Sequence, residues 1–140
     1  PDRMSMGCKR ALAAHQPVDI RGERSKGRSN GAGVVLYAEF EGTRLGSSCL
    51  GKRGVSSEDV AQAASMDLLR MLGSGSTLDP HAADQLLPYM ALSHDRSVFI
   101  VDEITSHLRT QFQLVRRFVD VSIDVQGGGP FVVNVRPNRT

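Results

Sequence analysis

The residue whose type and position best suit it for catalysis is His107, which lies in the stretch TSHLRTQFQLVRRF at positions 105–118. Apolar residues at helical spacing predict that a helix begins here, capped by Thr105 or Ser106, with His107 in its first turn. The unpaired N–H groups and positive dipole end of that turn would disfavour an imidazolium ion and attract an anion such as a nucleotide phosphate. A histidine nucleophile and its anion site could thus coincide, although a hydrogen-bonded packing histidine is the more common outcome and stays open.

The segment HAADQLLPYMAL at 81–92 is the second candidate site. Asp84 and Gln85 are polar residues beside an apolar stripe, and on spacing alone they fit a solvated helix edge. Pro88 adds a specific feature, because a proline within a helix has no N–H to donate and leaves the carbonyl of Asp84 without its usual partner. We hypothesise that this carbonyl, together with the Asp84 and Gln85 side chains, contacts an adenine amino edge or ribose hydroxyls.

Basic residues are concentrated in two short stretches of the first half of the chain. The Gly/Ser-rich loop at 22–33 carries three of them: Arg24, Lys26 and Arg28. They could guide a phosphate backbone, but a solvated flexible loop is the more common case. The sequence GKRG at 51–54 matches the GxxG clamp of the RNA-binding KH module. That clamp joins two helices, whereas this one follows a predicted strand, so we predict a turn with Lys52 and Arg53 in solvent.

Length and composition place the chain among ordinary globular proteins. With 140 residues, of which 40% are hydrophobic and 23% charged, it suits one domain with a substantial core. The formal net charge of +2 does not by itself require nucleic acid. No apolar run reaches membrane-spanning length, and the start does not resemble a signal peptide. Cys8 and Cys49 form no CxxC or His/Cys cluster, and His15, His81 and His94 lack metal-ligand spacing, so we expect reduced thiols and an intracellular setting.

Hydrophobic periodicity predicts a succession of helices and strands. In chain order they are a helix at 1–15, a strand at 17–23, a hairpin of strands 33–41 and 44–50, helices at 56–73 and 80–92, a strand at 97–101, the helix that contains His107, and strands at 121–126 and 131–135. Helices packed on a mixed or antiparallel sheet make this an α+β fold, arranged as a layered sandwich.

Two of these helices have clear end signals. Ser56 caps the first of them, Asp59 completes a capping box, and Gly73 is predicted to end it. Asp79 caps the next helix and Pro80 occupies its first position. Three apolar residues of that second helix are predicted to face inward: Leu86, Leu87 and Met90.

Three motifs together resemble RNA 3'-terminal phosphate cyclase: TSHLRTQ at 105–111, HAADQLLPYMAL at 81–92 and LGKRGVSSEDVA at 50–61. The histidine motif and the ADQ segment, about twenty residues apart in this order, are far more specific together than either is alone. The resemblance extends from the first helix almost to Val135 and covers roughly the C-terminal two-fifths of a full-length cyclase. The family motif runs S-H-L-x-T-N, and Gln111 stands where the asparagine would be.

The resemblance implies an ATP-dependent, ligase-like reaction in three steps. His107 would attack the α-phosphate of ATP and form an adenylyl-histidine with release of pyrophosphate. AMP would then pass to the 3'-phosphate of an RNA, and the neighbouring 2'-hydroxyl would displace it to leave a 2',3'-cyclic phosphate. A divalent metal, Mg²⁺ or Mn²⁺, would neutralise the triphosphate. The ATP-contacting segment would comprise His81, Ala82, Ala83, Asp84 and Gln85, with His81 placed to stack on the base.

The resemblance also implies an architecture, partners and a location. The family fold repeats βαβαββ units and carries a smaller inserted domain. Residues 1–140 would form a single domain that comprises the last unit and the segment directly before it. The N-terminal part of the same polypeptide would complete the site, so the chain alone is expected to be catalytically incomplete. The expected partners are ATP and an RNA with a 3'-phosphate end, and no membrane association is expected. The expected location is the cytoplasm of a bacterium or the nucleus of a eukaryote.

Three alternative functions compete with this one. A noncatalytic cyclase-like relative that acts in ribosomal RNA processing would share the fold but lacks the motif histidine, so His107 argues against it. An enolpyruvyl transferase shares the repeat architecture but has no reason for a histidine at this helix start. A small nucleic-acid-binding module would use the basic residues named above and would bind RNA in a salt-sensitive way without ATP.

Overall fold

The computed structural model describes residues 2–15, 17–28 and 30–138. Its helices and strands are α1 (Asp2–Ala11), β1 (Gly33–Glu39), β2 (Arg44–Leu50), α2 (Ser57–Ser74), α3 (Pro80–Leu92), β3 (Ser97–Val101), α4 (Ser106–Phe118), β4 (Val121–Gln126) and β5 (Phe131–Pro137). The chain therefore has an α+β fold, which confirms the predicted class. It divides into two compact units: unit 1 comprises Pro1–Ala38 and Gly46–Arg70, and unit 2 comprises Glu39–Leu45 and Met71–Thr140. The single domain over residues 1–140 stays a prediction, since compact units of this kind also occur within single domains.

In unit 1, helices α1 and α2 cover one face of the β1–β2 hairpin. The core of this unit consists of Met4, Cys8, Val60 and Ala61. Three hairpin side chains pack against it: Val34, Leu36 and Cys49. Burial raises the pKa of the Cys8 thiol above its usual value, because the thiolate would lose its hydration. Both cysteines are free thiols, as the sequence predicted.

An ion pair joins the two helices of unit 1 at the surface. Arg3 Nε donates to Glu58 Oε1 at 2.7 Å, and the Arg3 terminal nitrogen donates to Glu58 Oε2 at 3.0 Å. The hydrogen bonds from Arg3 lower the pKa of Glu58 below its ordinary value. The pair therefore stabilises the fold at neutral pH, and this contribution is lost as the pH falls through the lowered pKa of Glu58.

Helices α1 and α2 approach closely at Gly7. A Cβ added at this position would lie 2.9 Å from the Cβ of Ala61 and 3.8 Å from the Cα of Glu58. Such a Cβ separation is shorter than van der Waals contact permits, and neither neighbour is the end of a flexible side chain. The contact between the two helices therefore depends on a residue without a side chain at position 7.

We expect Gly7→Ala to lower the free energy of unfolding by about 1–3 kcal/mol, because overpacking of the interface outweighs the gain in helix propensity. The matched control is Gly73→Ala, also a helical glycine, with no atom within 4 Å of its added Cβ. That control should stabilise the protein by roughly 0.5–1 kcal/mol. Denaturant unfolding of the two variants measures both changes, and a stabilising Gly7→Ala would contradict the close contact.

Helix α2 ends later than the sequence predicted. Its first turn is capped as expected, with Asp59 N–H donating to Ser56 Oγ at 3.0 Å. At the other end Gly73 is still helical, and the helix stops at Gly75, which has φ +70°. The N–H of Gly75 donates to the carbonyl of Leu72, and the N–H of Ser76 donates to the carbonyl of Met71, both at 3.2 Å. This pair of bonds is the Schellman ending, which requires the left-handed residue one position beyond the last helical one.

The predicted strand at 17–23 is wrong. Residues 17–28 contain neither helix nor strand. Val18 and Ile20 are half-buried between exposed neighbours, so the alternation in the sequence is real. Ile20 packs against the core of unit 1 through its side chain. Alternation alone produces a strand only where a neighbouring backbone supplies hydrogen bonds, and this segment is held by side-chain packing instead.

Unit 2 contains a three-stranded antiparallel sheet in the order β3-β5-β4. β5 pairs with both neighbours, and the register places Phe99 opposite Val133 and Ile123 opposite Val135. Because β3 and β4 are each antiparallel to β5, they run parallel to each other with β5 between them. The turn between β4 and β5 falls at Gly127–Pro130, as predicted.

Helices α3 and α4 pack on one face of this sheet. They share its core through Ala83, Leu87 and Ala91 of α3 and Leu108, Phe112 and Val115 of α4. The predicted inward position of Leu87 is confirmed, and Met90 is half-buried against the same core. The inward position of Leu86 is wrong, because this side chain is 40% exposed. A stripe through Ala83, Leu87 and Ala91 repeats every four residues, and Leu86 lies outside it.

The elements of unit 2 follow the order expected for most of a βαβαββ unit. From α3 to β5 they run helix, strand, helix, strand, strand. The segment at 75–79, before α3, is irregular. The comparison with a βαβαββ unit therefore extends to its last five elements.

Candidate functional site

Helices α3 and α4 run parallel and start at the same end of the sheet. Just before α3, Thr77 and Leu78 donate their N–H groups to the carbonyl of Ile100 at 2.9 and 3.2 Å, and Ile100 N–H donates to Thr77 Oγ1 at 2.8 Å. The start of α3 therefore lies beside the C-terminal half of β3. Residues 102–105 lead from the end of β3 into α4, whereas residues 93–96 return α3 to the start of β3. Both helices thus run opposite to β3.

The start of α4 is a capped and accessible helix end. Thr105 is the N-cap: its Oγ1 accepts from Leu108 N–H at 3.1 Å, and its carbonyl accepts from Arg109 N–H at 3.0 Å. Ser106 and His107 are the first two helical residues, so their N–H groups have no partner within the helix. His107 is exposed, while Leu108 is fully buried and fixes this turn against the core. The imidazole therefore lies in solvent at a helix end that offers backbone donors.

The start of α3 is similar, except that its first helical residue, Pro80, has no N–H to donate. Asp79 is the N-cap, and its Oδ1 accepts from Ala82 N–H at 2.8 Å. His81 is the second helical residue and is exposed. His81 and His107 therefore occupy the same position in two parallel, neighbouring helices. Sequence reasoning singled out the two histidines separately and missed this equivalence, although the identical spacing from Asp79 to His81 and from Thr105 to His107 could have signalled it.

Only part of the segment at 81–85 faces solvent. His81 and Gln85 are exposed and lie one turn apart, so they share a face of α3. Ala82 and Asp84 are half-buried. Ala83 is fully buried in the core of unit 2, so its side chain packs inside the protein and cannot meet a bound nucleotide. The side chain therefore seats the helix, and the nucleotide-binding role of Ala83 stays a prediction that could involve only its backbone.

Helix α3 continues through Pro88 to Leu92. Pro88 has no N–H, so the carbonyl of Asp84 receives no hydrogen bond from the helix at that position. This is the geometry that the sequence predicted. It leaves a backbone acceptor on α3 at Asp84, the residue directly before the exposed Gln85.

The turn between β4 and β5 lies at the same end of the sheet as the two helix starts, because β4 runs parallel to β3 and both end there. Gly127 and Gly129 have φ values of +99° and +111°, a region that favours glycine. A Cβ on Gly129 would lie 3.9 Å from the carbonyl oxygen of Asp102, in the segment that leads to α4. The sequence indicated only a turn here, since the strand order that brings it to this end could not be predicted from periodicity.

The described residues do not form a ready-made metal site. Within residues 2–15, 17–28 and 30–138, no three His, Cys, Asp or Glu side chains converge so that they could hold an ion.

The structure has an α+β fold, and comparisons with known proteins identify its family. The sequence model of the RNA 3'-terminal phosphate cyclase (RTC) insert domain matches residues 1–72. The chain belongs to the RNA 3'-terminal phosphate cyclase family. The sequence analysis assigned these residues to the segment just before the last repeat. It did not identify an inserted domain, because the segment carries no residue pattern that distinguishes one.

Three relatives, each called RNA 3'-terminal phosphate cyclase, illustrate the similarity. The protein from Methanopyrus kandleri is 40% identical over 110 residues, which is 76% of this chain and 31% of that protein. The protein from Pyrococcus abyssi is 36% identical over 137 residues, 96% of this chain and 40% of that protein. The protein from Gloeothece citriformis is 36% identical over 126 residues, 89% of this chain and 36% of that protein. The chain thus spans between 31% and 40% of the length of these relatives.

Among the helices of the described residues, none combines the length and the apolar character that crossing a bilayer requires.

Proposed function

We propose that this chain is the C-terminal part of a longer cyclase that converts the 3'-terminal phosphate of RNA to a 2',3'-cyclic phosphate with ATP. The observation that carries the proposal is the exposed imidazole of His107 in the first turn of α4, at the end of unit 2 where α3 also starts. Two parallel helix starts concentrate backbone N–H donors and positive dipole ends, which favour phosphate groups. The cyclase relatives named above support the choice of RNA 3'-phosphate as substrate.

In the first step a neutral ring nitrogen of His107 attacks the α-phosphorus of ATP. A nitrogen–phosphorus bond forms, the bond to the bridging oxygen breaks, and pyrophosphate leaves with the electron pair. The N–H groups of Ser106 and His107, which have no partner within the helix, would hydrogen-bond phosphate oxygens at this helix end. Dividing one difficult displacement into easier ones is the purpose of the covalent adenylyl-histidine.

In the second and third steps AMP acts first as the transferred group and then as the leaving group. An oxygen of the RNA 3'-phosphate attacks the adenylyl phosphorus and frees His107, which gives an activated diphosphate linkage. The 2'-hydroxyl then attacks the 3'-phosphorus, loses its proton and expels AMP. The product carries a five-membered cyclic phosphate.

The adenosine of ATP would lie along the exposed face of α3. His81 would stack on the base, and Gln85, one turn further, would hydrogen-bond its edge; both side chains are exposed. The carbonyl of Asp84, which Pro88 leaves without a helical donor, would accept from the adenine amino group or a ribose hydroxyl. Ala82 and Ala83 would contribute through the backbone and through packing. Mg²⁺ or Mn²⁺ bound with the triphosphate would screen its charge.

The polypeptide that contains this chain is therefore expected to form the cyclic end only with ATP present. The test incubates it with an RNA that carries a 3'-phosphate and follows resistance of that end to phosphatase. The matched substrate is the same RNA with a 3'-hydroxyl, which should give no product and release no AMP. An end that stays sensitive to phosphatase with ATP and Mg²⁺ or Mn²⁺ present would refute the proposal. The residues of the longer polypeptide complete the site, which is proposed to work in the cytoplasm, or in the nucleus of a eukaryote.

A noncatalytic role in ribosomal RNA processing is the second candidate. It requires RNA binding without nucleotide chemistry. The presence of a histidine at the start of α4, and its exposure, favour the catalytic proposal.

A further inference from the structure

A cavity lies in unit 2 between the turn that joins β1 to β2 and the segment that leads from α2 to α3. Its volume is about 200 Å³. Six residues line it, and all of them belong to unit 2: Phe40, Thr43, Leu45, Leu72, Gly75 and Ser76. Pockets for whole drug-sized ligands begin at roughly 300 Å³. The cavity therefore suits a single planar ring better than a complete nucleotide.

The apolar lining of the cavity includes an accessible aromatic ring. Phe40 is 54% exposed, whereas Leu45 is fully buried and Leu72 is half-buried. The N–H of Phe40 donates to the carbonyl of Thr43 at 2.9 Å, which fixes the backbone of the turn that carries the ring. An accessible aromatic ring beside aliphatic side chains is a surface on which a nucleic-acid base can stack.

The two hydroxyl groups of the lining can only accept further hydrogen bonds. Thr43 Oγ1 donates its hydrogen to the carbonyl of Thr77. Ser74 Oγ donates its single hydrogen to the carbonyl of Met71 at 2.9 Å, so Ser76 supplies the hydrogen in the 2.8 Å bond between the two serine hydroxyls. Thr43 and Ser76 therefore retain only acceptor lone pairs, and the complementary ligand is a hydrogen-bond donor such as an amino group.

One short segment connects this cavity to the candidate site. The carbonyl of Thr77 accepts from Thr43, and the same residue bonds to Ile100 of β3 through both its N–H and its hydroxyl oxygen. Ser76 is five residues before His81, which limits the separation of their Cα atoms to about 18 Å. A single RNA strand can therefore reach both the cavity and the start of α3.

We propose that this cavity binds one base of the RNA, upstream of the 3'-terminal phosphate, and prefers a base with an exocyclic amino group to uracil. The base stacks on Phe40, and its amino group donates to the hydroxyl oxygens of Thr43 and Ser76. Uracil presents a carbonyl oxygen where cytosine presents its amino group, so it would oppose one acceptor with another. The inference deepens the proposed function and rests on it in taking RNA as the substrate class and in assigning the adenosine of ATP to the exposed face of α3.

The test compares two labelled RNAs of about 12 nucleotides, an oligocytidylate and an oligouridylate, each with a 3'-hydroxyl. Their binding to the full polypeptide is measured without ATP by fluorescence anisotropy. The two RNAs have the same charge and the same ring size, so a difference in affinity reports the edge of the base. The oligocytidylate should bind about fivefold more tightly, and Ser76→Ala should reduce this preference to about twofold because one of the two acceptors is lost.

The stacking ring is tested with a matched pair of variants. Phe40→Ala should weaken binding of the oligocytidylate about tenfold, and Phe40→Tyr should keep the affinity because the ring is retained. The control is Phe118→Ala, which removes another exposed phenylalanine of unit 2, at the end of α4 opposite to the helix start. It should change the affinity by less than about twofold.

Four results would overturn the inference. Equal affinity of the unaltered protein for the two RNAs, or no binding of either, would mean that the cavity does not read a base. Full affinity of the Phe40→Ala variant for the oligocytidylate would mean that the base binds elsewhere. An equal loss in Phe118→Ala would mean that any exposed ring contributes. Displacement of the oligocytidylate by an ATP analogue that cannot transfer adenylate would mean that the cavity belongs to the nucleotide site.

This binding measurement is separate from the proposed cyclase chemistry. Transfer of adenylate to the protein needs no RNA, so a failure of the cyclase proposal appears in that reaction. Binding of an RNA with a 3'-hydroxyl needs no ATP, so a failure of the cavity proposal appears only in the anisotropy.

Discussion

His107→Ala is expected to abolish transfer of label from α-labelled ATP to the protein, by three orders of magnitude or more, roughly the scale of losing a covalent nucleophile. The measurement is made on the full polypeptide without RNA, so that only the first chemical step is observed. In the unaltered protein the adduct should be labile to acid and stable to base, which distinguishes a phosphoramidate on histidine from an ester on a hydroxyl or carboxylate.

The matched control for this experiment is His94→Ala. His94 is also an exposed histidine of unit 2, but it lies in the loop between α3 and β3. Its removal should leave labelling unchanged. His81→Ala should raise the ATP concentration needed for labelling while the maximal extent is kept, because the proposed role of His81 is to stack on the base. A labelled His107→Ala protein would exclude this residue as the nucleophile.

The second large effect is expected at Leu87. Leu87→Ala should destabilise unit 2 by about 2–5 kcal/mol, since the side chain is fully buried and its removal leaves a cavity between α3 and the sheet. Leu86→Ala is the matched control: the same truncation on the adjacent residue, which is 40% exposed. It should change stability by less than about 1 kcal/mol, because little apolar surface is lost and alanine favours the helix.

Hydrogen exchange of the β5 amides measures this difference within unit 2, because β5 is hydrogen-bonded on both sides and exchanges only when the sheet opens. Faster exchange at β5 is expected for Leu87→Ala alone. Equal acceleration in both variants would contradict the assignment of the buried stripe of α3.

Local signals in the sequence were sufficient for most of the elements. The capping side chains of Ser56, Asp79 and Thr105 each accept a hydrogen bond from the backbone N–H three residues later. Because this contact is local, a capping residue predicts a helix start without tertiary information. The sequence-based predictions were wrong where a contact with another segment of the chain determines the structure. Residues 17–23 have the alternation of a strand but no neighbouring ladder, and Leu86 is apolar but lies outside the stripe that meets the sheet.

The sequence identified the residues of the candidate site but not how they are arranged relative to one another. His107 and the segment at 81–85 were found from residue type and motif order. The helices α3 and α4 are parallel because both run opposite to β3. The strand order β3-β5-β4 brings the β4–β5 turn to the same end, and this order depends on long-range pairing and has no signature in periodicity. For the same reason the buried position of Ala83 could not be separated from the exposed positions of its neighbours before the sheet was known.

The central position of β5 has a consequence for biosynthesis. β3 and β4 are each hydrogen-bonded to β5 and not to each other, yet β5 is the last of the strands to leave the ribosome. Until it emerges, the apolar sides of α3 and α4 have no completed sheet to cover, and exposed apolar surface of this kind favours aggregation. Translation speed near the codons of β5 therefore bears on the yield of this protein more directly than it would in a fold whose middle strand is made first.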